Sequence, residues 1–145
     1  MTFPPQVNRP PPALLAEAGL AVLRASIAIR LRPFATVATN AIARQVAAEP
    51  DPATIASVVR AVEAWARRVP WRVLCMEQGI AAAIMLARRG FTVDLAYGAA
   101  MIDGELQAHV WVRSGEIDVI GCENANDFAV LSQFSNDSSS SPVHS

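Results

Sequence analysis

A chain of 145 residues with a net charge of −1 and a pI near 6.1 has the length of one domain with a sizeable core. That charge balance excludes a general nucleic-acid binder. Hydrophobic residues make up 52%, but much of this is alanine, and Arg24, Arg30 and Arg32 interrupt the apolar runs before the roughly 18 uncharged residues of a membrane span accumulate. No basic stretch followed by an apolar core opens the chain, so no signal peptide is expected. A cytoplasmic protein with Cys75 and Cys122 as free thiols follows as the default. With no Cys-x-x-Cys and no cluster of ligating side chains, neither a metal nor another cofactor is expected.

Residues 1–12 are rich in proline and predict an extended or disordered start. Residues 13–134 predict the folded domain, and residues 135–145 a disordered Ser-rich tail. Ala13 to Arg32 reads as a helix. Leu14, Leu15, Ala18, Val22, Ala25 and Ile29 form one apolar stripe, and Leu20, Leu23, Ile27 and Leu31 widen it, which predicts burial on more than one face. Thr36 to Ala48 is a weaker helical pattern. Asp51 then caps a helix with Pro52 in its first turn. Its inner side carries Ile55, Val58, Val59, Val62 and Trp65, and Val69-Pro70 ends it.

The next helix begins near Cys75, carries Ile80 and Ile84 inward, and ends with Arg88, Arg89 and a left-handed Gly90. From Phe91 the period changes to two. Asp103-Gly104 predicts a two-residue hairpin turn between Phe91–Ile102 and Glu105–Arg113. That turn sets Gly98 opposite His109, Ala96 opposite Trp111 and Asp94 opposite Arg113. The last pair suits a cross-strand ion pair, and the small residues facing His109 leave room for a chain to approach. A second turn at Ser114-Gly115 predicts a strand from Glu116 to Gly121, with Asp118 opposite Trp111. Asn124 to Phe134 reads as irregular, with Phe128, Val130, Leu131 and Phe134 covering an edge.

Cys75 lies at the first turn of its helix, where unpaired N–H groups and the positive end of the dipole favour a thiolate. The chain has 2 histidines. His144 lies in the Ser-rich tail, and His109 lies on a strand. A cysteine opening a helix and a histidine on a later strand form a papain-like or transglutaminase-like arrangement. The fold class is therefore α+β, with N-terminal helices and the cysteine helix packed on a small antiparallel sheet. The plainer alternative is a buried cysteine and an ordinary strand histidine.

Several segments recur in a known order: Val69-Pro70-Trp71-Arg72, Cys75-Met76-Glu77-Gln78, Leu86-Ala87-Arg88-Arg89-Gly90, Ala108-His109-Val110-Trp111-Val112-Arg113-Ser114-Gly115, Val119-Ile120-Gly121 and Phe128-Ala129-Val130-Leu131. In these the chain resembles, over roughly Arg24 to Phe134, the transglutaminase-like maturation peptidases of lasso-peptide biosynthesis, the B proteins. The resemblance implies a cytoplasmic cysteine peptidase that removes the leader from a ribosomal precursor peptide. Its implied partners are that precursor, a separate leader-recognition protein and an ATP-dependent lasso cyclase. It implies Cys75 as nucleophile and His109 as base. The third member departs from the family pattern, because Val119-Ile120-Gly121 stands where many relatives carry an acid. Face alternation favours Asp118, and Glu123 requires a bulge at Gly121. An acyltransferase on the same fold and a non-catalytic helical adaptor are the alternative functions.

Overall fold

Small side chains decide how the helices meet. The computed structural model describes residues 10–69 and 75–137. The expectations for the start up to Arg9, for Pro70 to Leu74 and for the tail beyond Asp137 lie outside the described residues. Helix α1, Pro12–Leu31, begins with Pro11 as its N-cap, so a proline fills the first turn, where no N–H partner is needed. It buries Ala18, Ala21, Val22, Ala25 and Ser26. At Gly19 a Cβ would come within 2.8 Å of the Trp65 indole, whose Nε1–H donates to the Leu15 carbonyl at 2.6 Å. The wider burial read from the sequence does not occur. Leu20, Leu23, Ile27 and Leu31 are exposed, Leu31 by 76%, because α1 is flanked by other helices on one side only. At 20 residues α1 is long and apolar enough to cross a membrane by length and composition alone.

Helix α2, Phe34–Ala41, starts directly after Pro33 and stops before the expected end at Ala48. Ala47 and Ala48 instead donate their N–H groups to the Gly90 carbonyl. Helix α3, Pro52–Arg68, has Asp51 at its N-cap position as expected, without a side-chain hydrogen bond to a helix N–H. The Asp51 carboxylate accepts the Thr54 hydroxyl at 2.6 Å, which lowers its pKa. Helix α4, Cys75–Arg88, is buried along most of its length, and Gly90 caps it at φ +80°.

The sheet contains β1 (Asp94–Ile102), β2 (Glu105–Ser114), β3 (Ile117–Ile120) and β4 (Ala129–Ser135), in the order β3-β2-β1-β4. Every described pairing is antiparallel. Asp103 and Gly104 both have positive φ, as a type I′ turn requires, and the β1–β2 register is the one that turn predicts. The molecule is thus α+β, with four helices over a small antiparallel sheet. One face of the sheet, with Leu95, Val110 and Val112, packs into the helical core. At Gly79 of α4 a Cβ would meet Val110 Cγ1 at 2.8 Å, so glycine lets helix and strand touch. The other face carries a smaller cluster of Ala96, Trp111 and Phe128.

Three local expectations are corrected. Residues 129–135 form an edge strand on β1 rather than irregular chain. The second turn closes at Gly115-Glu116, so Asp118 lies opposite Arg113 instead of Trp111, and a bulge beyond that pair sets Ile120 opposite Val112. Arg113 accordingly pairs with Asp118 at 3.0 Å instead of with Asp94.

Candidate active site

Cys75 is the first described residue of α4 and is half-buried, which puts its thiol in the N-terminal part of that helix, the end whose N–H groups lack helical partners. The first turn is anchored by Glu77, whose buried carboxylate accepts the Ser26 hydroxyl of α1 at 3.0 Å and lies 3.8 Å from Arg30. Gln78 follows and is half-buried. The packing of α1 across Glu77 makes this acid an internal tie.

His109 is on β2, half-buried. Strand alternation places it with Trp111 on the face opposite Val110 and Val112. Its ring stacks on Phe128 at a centroid distance of 4.8 Å and on Trp111 at 5.9 Å. The His109 Nε2 lies 2.7 Å from the Gly121 carbonyl oxygen. A carbonyl can only accept, so this contact assigns the proton to Nε2 and leaves the Nδ1 lone pair as the basic position of the neutral ring. Gly121 has φ +77°, and a Cβ there would come to 2.5 Å from the Val110 carbonyl. Only glycine presents this carbonyl without strain.

The room predicted beside His109 over Gly98 is filled. A Cβ at Gly98 would meet the Ala129 carbonyl at 2.7 Å and the Trp111 ring at 2.9 Å. On the other side of β2, β3 pairs only over Val112–Ser114, and Gly121 lies against the Val110 carbonyl and the His109 ring.

Asp118 is 65% exposed at its side chain and held by Arg113. Its position opposite Arg113 is four residues along the strand from His109, roughly 13 Å at about 3.3 Å per residue. Glu123 is exposed. Among the described residues, the hydrogen-bond partner of the ring is the Gly121 carbonyl rather than either carboxylate. Cys75 and His109 are not hydrogen-bonded to each other in this structure.

Cys122, beside Gly121, donates to the Val112 carbonyl at 3.3 Å. Burial, and then the Asp118 charge, push its thiol pKa up, so it is the less reactive kind of cysteine. Among the described residues no group of three His, Cys, Asp or Glu side chains is placed to hold a metal ion. Sequence reasoning missed the Gly121 carbonyl, because a main-chain acceptor leaves no residue-type signal. It assigned Phe128 to edge cover without seeing the stack on His109.

A family model described as the transglutaminase-like superfamily matches residues 19–133. No curated protein matches the chain, and no solved structure does.

Proposed function

This chain belongs to the transglutaminase-like superfamily, and on that premise we propose that it is a cysteine peptidase that removes the leader from a lasso-peptide precursor. That superfamily includes both cysteine peptidases and acyltransferases. The observation that carries the catalytic part is the placement of the thiol at the start of α4 together with an imidazole whose Nε2 is engaged by the Gly121 carbonyl. The precursor, the separate leader-recognition protein and the ATP-dependent cyclase are carried by the segment order alone.

In the proposed reaction, the Cys75 thiolate attacks the carbonyl carbon of the scissile peptide bond. The N–H of Cys75 at the helix start receives the developing oxyanion, with Gln78 as a second candidate donor. His109 takes the thiol proton on Nδ1 and returns it to the leaving amine. Water then hydrolyses the thioester and regenerates the thiol. Catalytic hydrogen bonds are often unformed in free enzymes and close on substrate; because α4 packs on the Val110 and Val112 face of β2 and His109 lies on the other, the reaction requires substrate binding to bring the thiol and the imidazole together. Asp118 is the acid the sequence favours as third member; to act so it must leave Arg113 and approach the imidazole. The Gly121 carbonyl already occupies the orienting position.

The test is incubation of the precursor with the chain and the leader-recognition protein, followed by mass spectrometry. Leader and core must appear with the mass of one water added across the cut. Cys75→Ala and His109→Ala must each abolish cleavage while circular dichroism stays unchanged. A joined product without added water supports the acyltransferase instead. Cleavage by the Cys75→Ala protein removes the thiol mechanism. Loss of activity in Asp118→Asn but not in Glu123→Gln makes Asp118 the third member; full activity in both leaves that role to the carbonyl.

A further inference from the structure

A cavity of about 690 Å³ opens between α1, α2 and α4. Its wall is divided in character. Ala25, Val37 and Ile80 give it a buried apolar floor. Arg24 of α1, Arg32 just after it, Arg44 beyond α2 and Arg88 of α4 stand around it, and among the described residues no carboxylate lines it. All four guanidinium-bearing residues are exposed. Arg88 has one distant acidic neighbour, Glu17 at 3.9 Å, but Glu17 is committed to Arg89 through bonds of 2.7 and 2.8 Å. Arg24, Arg32 and Arg44 have no ion-pair partner among the described residues. A chain of net charge −1 thus gathers four like charges around one concavity, an arrangement that costs repulsion unless an anion neutralises it.

We propose that this cavity binds an acidic polypeptide segment, with its carboxylates on the arginines and an apolar side chain on the floor. Guanidinium groups match carboxylates in forked pairs, and an apolar floor with a charged rim is the pattern of a peptide-anchoring pocket. The volume and the apolar floor favour a peptide over a small inorganic anion, which would leave the floor bare. The concave shape favours it over a bilayer surface. None of the candidate catalytic residues lines the site, although its floor residue Ile80 is five residues along α4 from Cys75, roughly 7.5 Å at about 1.5 Å per residue.

The experiment uses the full chain carrying Cys75→Ala, so that binding is read without turnover and independently of whether the chain is a peptidase. A short fluorescein-labelled peptide of glutamate and leucine is titrated by fluorescence anisotropy, beside the same peptide with glutamine in place of glutamate. Saturable binding of the acidic peptide is expected, weakening steeply with salt, and falling about tenfold or more when Arg24→Ala and Arg44→Ala are combined. These arginines are exposed, so the variant should keep the parent's melting curve. Equal binding of the glutamine peptide, or unchanged affinity in the folded double variant, overturns the proposal. So does displacement by millimolar inorganic phosphate, which would make this a small-anion site, or by phosphatidylglycerol vesicles, which would make it a membrane surface.

Discussion

The two faces of the sheet are built on different terms. The face toward α4 is closed by Leu95, Val110 and Val112, each no more than 1% exposed, and continues into the helical core. The opposite face has a buried cluster of Ala96, Trp111 and Phe128 only, with the half-buried His109 against it, while most of β4 is exposed. One strand, β2, therefore serves both: Val110, Val112 and Ser114 are buried toward the helices, while His109 lies on the other face beside Trp111. A histidine in the inner layer would be desolvated and immobile. On the outer face it is held by two ring stacks and one carbonyl and stays accessible. Separating stability from function on alternate residues allows the candidate site to change without loss of the core.

That contrast can be broken most severely at the proposed catalytic pair. Cys75→Ala and His109→Ala should each lower leader cleavage by at least about a thousandfold and leave the melting temperature within a few degrees, because neither side chain is in the main core. A large loss of stability in either would mean that the outer face is structural after all. The next effect is on stability. Leu86→Ala removes a fully buried side chain and should cost about 2–5 kcal/mol in chemical denaturation. Phe128→Ala, from the outer cluster, should cost less, about 1–2 kcal/mol, yet reduce cleavage more, since it removes the ring stacked on His109. The reverse ranking in both assays would contradict the division of the sheet.

A finer comparison uses two glycines with nearly the same backbone. Gly104 and Gly121 have φ of +80° and +77°. A Cβ at Gly104 meets nothing within 4 Å, whereas at Gly121 it meets the Val110 carbonyl at 2.5 Å. Gly104→Ala should cost about 1 kcal/mol from the left-handed conformation alone. Gly121→Ala should cost about 1–3 kcal/mol more and also impair cleavage by moving the carbonyl that holds His109. The smallest effect is the acid limb of stability. The hydrogen bond from Arg89 holds the Glu17 pKa below the ordinary 4.5. This stabilisation is fully present above 4.5 and is lost as pH falls through the lowered folded value. Glu17→Gln should therefore flatten the pH dependence of the melting temperature below 4.5 and leave the slope above it unchanged.

Much of this was legible in the residues. Asp51-Pro52, the run from Ile55 to Val62, Gly90 and Asp103-Gly104 carry local signals that tertiary structure did not override. The same is true of Cys75 at a helix start and His109 on a strand. The outer leucines of α1 were misread because periodicity shows which residues share a face but not how many neighbours cover it. The shift of Asp118 was hidden because the second turn closes at Gly115-Glu116 rather than Ser114-Gly115, and a one-residue change in where a turn falls moves every partner in the strand that follows. Residues 129–135 alternate too weakly to announce a strand, and they pair because β1 offers an open edge.

By itself, then, the sequence determined the helices, the hairpin register and the candidate thiol and imidazole, since each depends on contacts a few residues apart. The tertiary structure alone decided which acceptor holds the His109 ring, how Glu77 became an internal tie and where four arginines converge. These depend on groups brought together from distant parts of the chain, and one of them is a main-chain oxygen that every residue carries.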